Sequence, residues 1–431
     1  SAMTSGQNIV ILLLCLVLAL VSSHNEGNRV LVLLDDLSQQ HSYSIFFNSL
    51  KERNYALSFF KADDASLALT EYGEYLYDHL IIFSPTVEEF GGLIDVPSIL
   101  DFIDDGHNVL VAASSEVSDS VREVASECGV DFDEEGSFVT DHLNYDENDP
   151  LQTHNVIVVD PKSLDKLNDV IVSTKAIKKP IAWSGIGADA EGSLTFPLLN
   201  GAETCYSAVP NKAISGEPHT IGTNTVLVSA LQARNNARVI VSGSVSLFSD
   251  KYFNQKVKKY GGVETETANK EFCVELSKWV FKEKGVLKAG NLTHKLVGDD
   301  AREYRIKDEI SFSIEVQEYK KGSFVPFVLK DTIQVEFTMI DPYVRSTLDV
   351  NKKGRYSTQF KIPDVYGVFT FRVEYSARGY TGFTLEERVP VRPYRHDEFE
   401  RFIPAAFPYY ASAFSMLAGL FVFSVVWLYG A

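Results

Sequence analysis

The sequence predicts an α/β Rossmann-like domain, then an antiparallel β-sandwich-like domain, then one C-terminal transmembrane helix. Three observations predict this order. Continuous apolar runs alternate with helix-spaced segments through the first half. Beyond "KEKG" the apolar period changes from 3.6 to 2. Close to the C-terminus an uncharged run of bilayer length appears. At 431 residues the chain is too long for one ordinary domain. A hydrophobic content of 45% with 23% charged residues is that of a globular protein. The net charge of −18 argues against nucleic-acid binding, which needs a basic surface.

"RVLVLL" (Arg29 to Leu34) is continuously apolar, as a parallel strand buried on both faces must be. "YSIFFNSLKERN" has helical spacing, "ALSFF" reads as a second strand, "LALTEYGEYLY" as a helical stretch and "HLIIFS" as a third strand. "VPSILDFIDDG" is a helix stopped by Gly106, and "HNVLVAAS" a fourth strand. That rhythm is βαβ. The pattern loosens between Asp131 and Pro218. There "DFDEEG" and "YDENDP" lack EF-hand spacing and read as solvated loops, while "HNVIVVD" still reads as a strand. "NTVLVSALQ" and "ARVIVSG" resume the βα character. A last helix in "NKEFCVELSKWVFKEKG" is stopped by Gly285. Period two then sets in with "EISFSIEVQ", "TIQVEFTM" and "GVFTFRVEYS", half-buried antiparallel strands. The expected boundaries are residues 24–285 for the α/β domain, 286–395 for the β domain and 396–410 for a stiff, proline-broken linker.

The ends point to a membrane. Ile9 to Val21, "IVILLLCLVLALV", is an uncharged run of signal-peptide length followed by small residues, so residues 1–23 are expected to be a cleaved signal peptide. Ala411 to Leu428 carries no charge; roughly 18 residues at about 1.5 Å each span about 27 Å. Tyr409 and Tyr410 on one side, with Trp427 and Tyr429 on the other, resemble interfacial aromatic belts, so residues 411–429 are expected to span the bilayer. Ala411, Ser415 and Gly419 recur on one face of that helix and are candidate helix-packing positions. Cys128, Cys205 and Cys273 remain outside the signal run. Their odd number allows one disulfide and leaves one thiol, and their spacing fits no zinc site. The sole N-x-[ST] sequon begins at Asn291, a glycosylation candidate expected to be exposed between the two domains.

No complete catalytic constellation is visible. The first strand ends "LLDDLSQQHS", without the glycines of a dinucleotide site, and no Walker A sequence occurs. Asp35 and Asp36 end a strand where α/β sheets place ligands, but a cap or turn role is the stronger reading. "SGSVSLF" fails as a nucleophile elbow because Val245 stands where the nucleophile belongs. "WSGIG" (Trp183 to Gly187) reads as a glycine turn. No catalytic, cofactor or metal-binding residue is assigned.

The most peculiar stretch is "QARNNARVIVSGSVSLFSD", Gln232 to Asp250. With "VLVLLDD", "YGEYLYDHLIIFSP" and "FIDDGHNVLVA", it makes nearly the whole mature chain resemble the 48-kDa-type subunit of the oligosaccharyltransferase complex. The resemblance implies a non-catalytic, single-pass type I protein of the endoplasmic reticulum membrane, with its bulk in the lumen. It implies service in moving a preassembled glycan from dolichyl diphosphate to asparagine. The implied partners are a catalytic multi-span subunit, the ribophorin-type subunits and the small defender-against-cell-death subunit; no cofactor is implied. The family's short polar, lysine-containing tail does not follow "WLYGA". Two other classes fit the layout: a single-span cell-surface receptor or adhesion protein, and an amidotransferase-like lumenal enzyme. Within the peculiar stretch, Ala237 to Ser242 is expected to be a central strand. Gly243 should permit the turn after it, and Ser244 or Ser246 should cap a helix from near Leu247. Asn235 and Asn236 should make a turn while Arg234 and Arg238 hold loop carbonyls or acids. An anion site for the diphosphate donor is the sharper alternative.

Overall fold

The computed structural model describes residues 27–149, 153–164, 169–210, 212, 218–298, 303–320, 322–329, 331–351, 353–399 and 402–430. The expected signal peptide, residues 1–23, lies outside them. Contacts divide the chain into two units. The first holds the chain up to Lys288 together with Gln317–Val325 and Tyr375–Phe383; the second holds Ala289–Val316, Pro326–Glu374 and the chain from Thr384.

A nine-stranded mixed sheet forms the heart of the first unit. Its strands are β1 (Arg29–Leu34), β2 (Ala56–Lys61), β3 (His79–Phe83), β4 (Asn108–Ala112), β5 (Asp131–Phe132), β6 (Ala188–Asp189), β7 (Thr195–Asn200), β8 (Val226–Gln232) and β9 (Arg238–Ser242). Their order is β2-β1-β3-β4-β9-β8-β6-β5, with β7 also paired to β8. The β2-to-β9 half is parallel and the rest antiparallel. The apolar run of β1 explains the layering. Val30, Val32 and Leu34 face one core with helices α1 (Ser44–Lys51) and α5 (Asn269–Val280), while Leu31 and Leu33 face the other with α2 (Val96–Asp104) and α3 (Asp119–Glu127). Each fully buried leucine or valine contributes roughly 2 kcal/mol by removal from water. The short helix α4 (Asp250–Asn254) lies between β9 and α5 in sequence. α2 starts with a reciprocal capping box between Asp95 and Ser98 and stops before Gly106 at φ 94°.

The structure departs from the sequence expectation in three places and closes one question that the sequence left open. "LALTEYGEYLY" is no helix: Thr70–Glu71 and Glu74–Tyr75 form a tiny hairpin around Tyr72 (φ 51°) and Gly73 (φ 85°). Two successive positive φ values suit a tight hairpin turn, which overrides the apolar spacing. β8 and β9 form an antiparallel hairpin rather than a βα unit, because Ala233 to Ala237 leaves no room for a helix. α3 was not anticipated; Ser118 caps it. Cys128, Cys205 and Cys273 are buried free thiols, so no disulfide joins them.

The second unit is built on two five-stranded sheets. One has the order β10 (Leu287–Leu296), β12 (Glu309–Lys320), β17 (Arg355–Lys361), β16 (Asp349–Val350), with β13 (Ser323–Pro326) beside β12. The other runs β11 (Tyr304–Arg305), β19 (Tyr380–Arg392), β18 (Gly367–Ala377), β14 (Gln334–Thr338), β15 (Pro342–Thr347). Phe312 of the first stacks on Phe371 of the second at 5.1 Å, and Phe337 meets Phe360 edge-on at 5.7 Å. Alternation along these strands puts one residue in two into that shared core. The C-terminal helix α6 (Phe407–Tyr429) starts ahead of the expected Ala411, because Pro408 is tolerated in a first helical turn. With the 3-10 turn before it, the apolar segment covers Pro404–Tyr429 at a mean hydropathy of 2.0, none of it buried.

Candidate functional site

The Gln232–Asp250 segment is a knot of internal bonds. Arg238 opens β9 and is 1% exposed. Its guanidinium donates to the carbonyls of Trp279 (2.7 Å), Lys284 (2.8 Å), Gly285 (2.8 Å) and Gly379 (3.4 Å). It also lies over the Trp279 ring at 4.9 Å, and the indole Nε1 donates to the Gly379 oxygen at 3.0 Å. Among the described residues no carboxylate pairs with it. Burial pushes its pKa down to about 9, which still leaves it charged at neutral pH. Five donors in a fixed fork suit a ring of carbonyls better than a lysine ammonium would.

The neighbours follow the same rule. Gln232 donates to the carbonyls of Ala377 and Tyr380 and accepts from the Gly379 N–H. Asn235 donates to the carbonyls of Ile103 and Asp104 at the end of α2, where the Ile103 oxygen also accepts from the Gly106 N–H. Asn236, at φ 69°, makes the turn and exchanges two bonds with Gly382. Asp250 accepts from the N–H groups of Ser44 and Ile45, so it caps α1 from across the fold. The expected carbonyl-holding role therefore falls to Arg238, while Arg234 is exposed.

Gly243 permits the expected turn by leaving room for a neighbouring backbone, without a positive φ. A Cβ there would come within 2.0 Å of the Ile186 carbonyl oxygen, and one on Gly185 would come within 2.0 Å of the Gly243 oxygen. The two glycine turns interlock, with the Ile186 N–H on the Gly243 oxygen at 2.9 Å, so "WSGIG" is half of a backbone clasp. Ser246 is not the helix cap. Ser249 caps α4, and Ser244 Oγ accepts from the Leu247 N–H while donating to the Ser184 carbonyl.

A polar chain links this knot to the start of β3. Asn108 accepts from the Arg238 N–H and, through its amide nitrogen, donates to His79 Nδ1; His79 Nε2–H donates to the Gly27 oxygen. Those partners fix the neutral tautomer. Burial pushes the His79 pKa down to about 4. His79 stacks on Phe281 at 4.6 Å in the wall of a cavity of about 470 Å³ that also reaches Tyr55, Lys282 and Tyr319. Lys282 donates to the Gly106 oxygen, and burial lowers its pKa to about 8.

The opposite edge of the parallel strands, where such sheets usually bind ligands, carries a cleft of about 770 Å³. Thr86, Glu88, Glu89, Glu116, Asp119 and Glu135 line it. Asp35 lies at this edge, accepts from the Thr86 N–H and has its pKa raised by burial; Asp36 caps the turn after β1. Among the described residues no group of three His, Cys, Asp or Glu is placed to hold a metal ion. Burial also raises the thiol pKa of Cys128 to about 12 and of Cys205 to about 11, and raises that of Cys273.

Asn291 lies on β10, exposed, at φ 49°, and its amide donates to Glu315 at 2.7 Å. Thr293 Oγ1 meets Ser313 Oγ. Ala411, Ser415 and Gly419 share one face of α6, and nothing lies within 4 Å of a Cβ placed on Gly419.

Two family descriptions match this chain: "OST48, N-terminal domain" over residues 21–283 and "OST48 middle domain" over residues 291–431. The dolichyl-diphosphooligosaccharide–protein glycosyltransferase 48 kDa subunit of Danio rerio is 50% identical over 408 residues, which cover 93% of this chain and 91% of that protein. The subunit of the same name from Arabidopsis thaliana is 49% identical over 408 residues, 93% of this chain and 92% of its own length. That of Drosophila melanogaster is 44% identical over 410 residues, 93% and 91%. This chain belongs to the family of the 48 kDa subunit of the oligosaccharyltransferase complex.

Proposed function

We propose that this chain is a non-catalytic accessory subunit, needed for the assembly and activity of the complex that transfers a preassembled glycan from dolichyl diphosphate to asparagine. The active site then belongs to a multi-span partner subunit. The observation that carries this reading is how the Gln232–Asp250 segment is used. Arg238, Ser244 and Asp250, the groups that could bind or react, are engaged by internal carbonyls and a helix start. In this reading the first unit is a Rossmann-like scaffold, supported by the parallel order β2-β1-β3-β4-β9, and the second is a β-sandwich-like module, supported by its shared phenylalanine core. The protein sits in the endoplasmic reticulum membrane as a single-pass type I chain, with its bulk lumenal. Its neighbours are the catalytic subunit, the ribophorin-type subunits and the defender-against-cell-death subunit.

The deciding experiment measures glycan transfer by the intact complex carrying Ser244→Ala, normalised to the amount assembled. Turnover should match the parent, with a stability cost on the order of 1 kcal/mol. A large loss of turnover with normal assembly would overturn the scaffold reading. In the same reading Asn291 carries an N-glycan, supported by its exposure. Enzymatic deglycosylation should speed migration on a gel, and Asn291→Gln should abolish that shift; an unshifted parent band refutes it.

A further inference from the structure

The second unit ends in an apolar tip that its own core does not use. Met339 and Ile340 occupy the turn between β14 and β15, with Ile340 91% exposed. Beside them stand Tyr366, 65% exposed, and Val368, 59% exposed, with Tyr343 at the rim. The two turns touch: a Cβ on Gly367 would meet the Met339 sulfur at 2.8 Å. Five neighbouring apolar side chains facing solvent mark a contact surface rather than scattered exposure.

Strand direction says which end of the sheet this is. β18 and β14 are antiparallel, with Thr370 opposite Thr338, so the β14 exit and the β18 entrance share an end. β18 returns as β19 through the two-residue turn Arg378-Gly379, so β19 must finish at that same end, at Arg392. β11 confirms the position, since Arg305 pairs with Arg392. From Arg392 the chain proceeds to α6. Arg392 grips Glu398 through two bonds of 2.6 and 2.8 Å, which holds the first part of the connection against the sheet. From Glu398 to Phe407 the chain can reach about 30 Å at most, at ~3.3 Å per residue. Phe399, Phe402 and Ile403 on that stretch are themselves exposed.

We infer that the tip formed by Met339, Ile340, Tyr366 and Val368 seats in the interfacial layer of the bilayer that α6 crosses. A tether this short keeps the tip within reach of the headgroup region, where Tyr and aliphatic side chains partition well. The nearby cations are paired, Lys307 with Asp364 at 2.8 Å and Arg345 with Glu336 at 2.7 Å, and the other charge of the turn is the exposed carboxylate of Asp341, which an anionic headgroup would repel. The contact is therefore apolar and needs no anionic lipid. It rests on α6 being a membrane span, and the test separates the two.

The full chain in its complex is reconstituted into phosphatidylcholine vesicles with a thiol-reactive NBD fluorophore on Ile340→Cys, Val350→Cys or Phe421→Cys. Val350 follows Thr347, which ends β15 opposite Gln334 at the far end of the sheet, and Phe421 lies within α6. The described native thiols are buried, and the parent chain labelled in parallel sets the background. Phosphatidylcholine carrying a nitroxide near the headgroup should quench the label at position 340, whose emission the interfacial layer blue-shifts, and should leave position 350 unchanged, while a nitroxide deep in the acyl chain should quench position 421. Label at 421 that neither the headgroup nor the acyl-chain nitroxide quenches would refute the membrane span itself. Quenching at 421 with none at 340 overturns the inference in either form: iodide access at 340 means the tip is in water, and shielding from both quenchers means that protein covers it.

Discussion

The Arg238 knot and the Ile340 tip invert the usual distribution of polarity. In the first, a charged side chain is buried and both of its Nη atoms donate to carbonyls; in the second, aliphatic and tyrosine side chains stand in solvent. A buried charge is tolerable only where the protein supplies all its partners, so the knot is an inward device that fixes one arrangement of segments. An apolar tip does nothing for its own fold and has meaning only for whatever covers it. Stability and assembly are thus assigned to different places, and substitutions at each should have different consequences.

The largest expected effect is at the knot. Arg238→Ala removes three bonds of 2.7–2.8 Å and empties a fully packed site, though the Trp279 and Gly285 carbonyls keep the N–H groups of Lys282 and Thr381; it should cost on the order of 3 kcal/mol, read as a lower denaturant midpoint of the purified chain in detergent. Arg238→Lys should recover only part of this, because an ammonium cannot fork across separated carbonyls. An unchanged midpoint for Arg238→Ala would mean that the knot is not a source of stability.

Next in size is acid sensitivity. His79 has a folded pKa of about 4, below its ordinary 6.5, because burial disfavours the cation. Between those values the unfolded chain binds the proton and the folded chain does not. The His79 contribution is therefore whole above pH 6.5 and falls as pH drops toward 4, by on the order of 3 kcal/mol in total. Thermal melting of the parent between pH 7 and 4.5 should show the loss, and His79→Gln should flatten it. An identical slope in both chains would show that other groups govern acid stability.

The smallest effect belongs to the membrane segment. If Ala411, Ser415 and Gly419 form a packing face, Gly419→Leu should weaken co-purification with partner subunits by a few-fold, on the order of 1 kcal/mol, while insertion stays normal. Phe421→Leu is the control. Equal recovery of both variants would leave assembly to the rest of the chain.

Much of the layering was legible because it is local. The continuous run in β1, the alternation in β12 and β18, and the uncharged C-terminal helix each carry their period in a few adjacent residues. The Tyr72-Gly73 hairpin was missed because apolar spacing imitates a helix when backbone φ values are not considered. The partners of Arg238 were illegible for another reason. Its carbonyls come from Trp279, Lys284, Gly285 and Gly379, and backbone carbonyls leave no trace in side-chain identity. The Gly185–Gly243 clasp was hidden likewise: each glycine reads as a turn, and only their meeting shows that neither can carry a side chain.

The contribution of Gln317–Val325 and Tyr375–Phe383 to the first unit sets a timetable for synthesis. When the ribosome has finished β9, the knot still lacks Gly379, Ala377, Tyr380 and Gly382. At translation rates of about 5–20 residues per second, those groups emerge on the order of 10–30 s later. Through that interval all nine strands of the sheet are made, but the nascent chain holds an arginine among incomplete partners. The first unit therefore receives its last contacts only after most of the second has been made. A chain released before Ala377 would leave the Arg238 guanidinium without the Gly379 carbonyl, and Gln232 and Asn236 without the backbone groups they bridge.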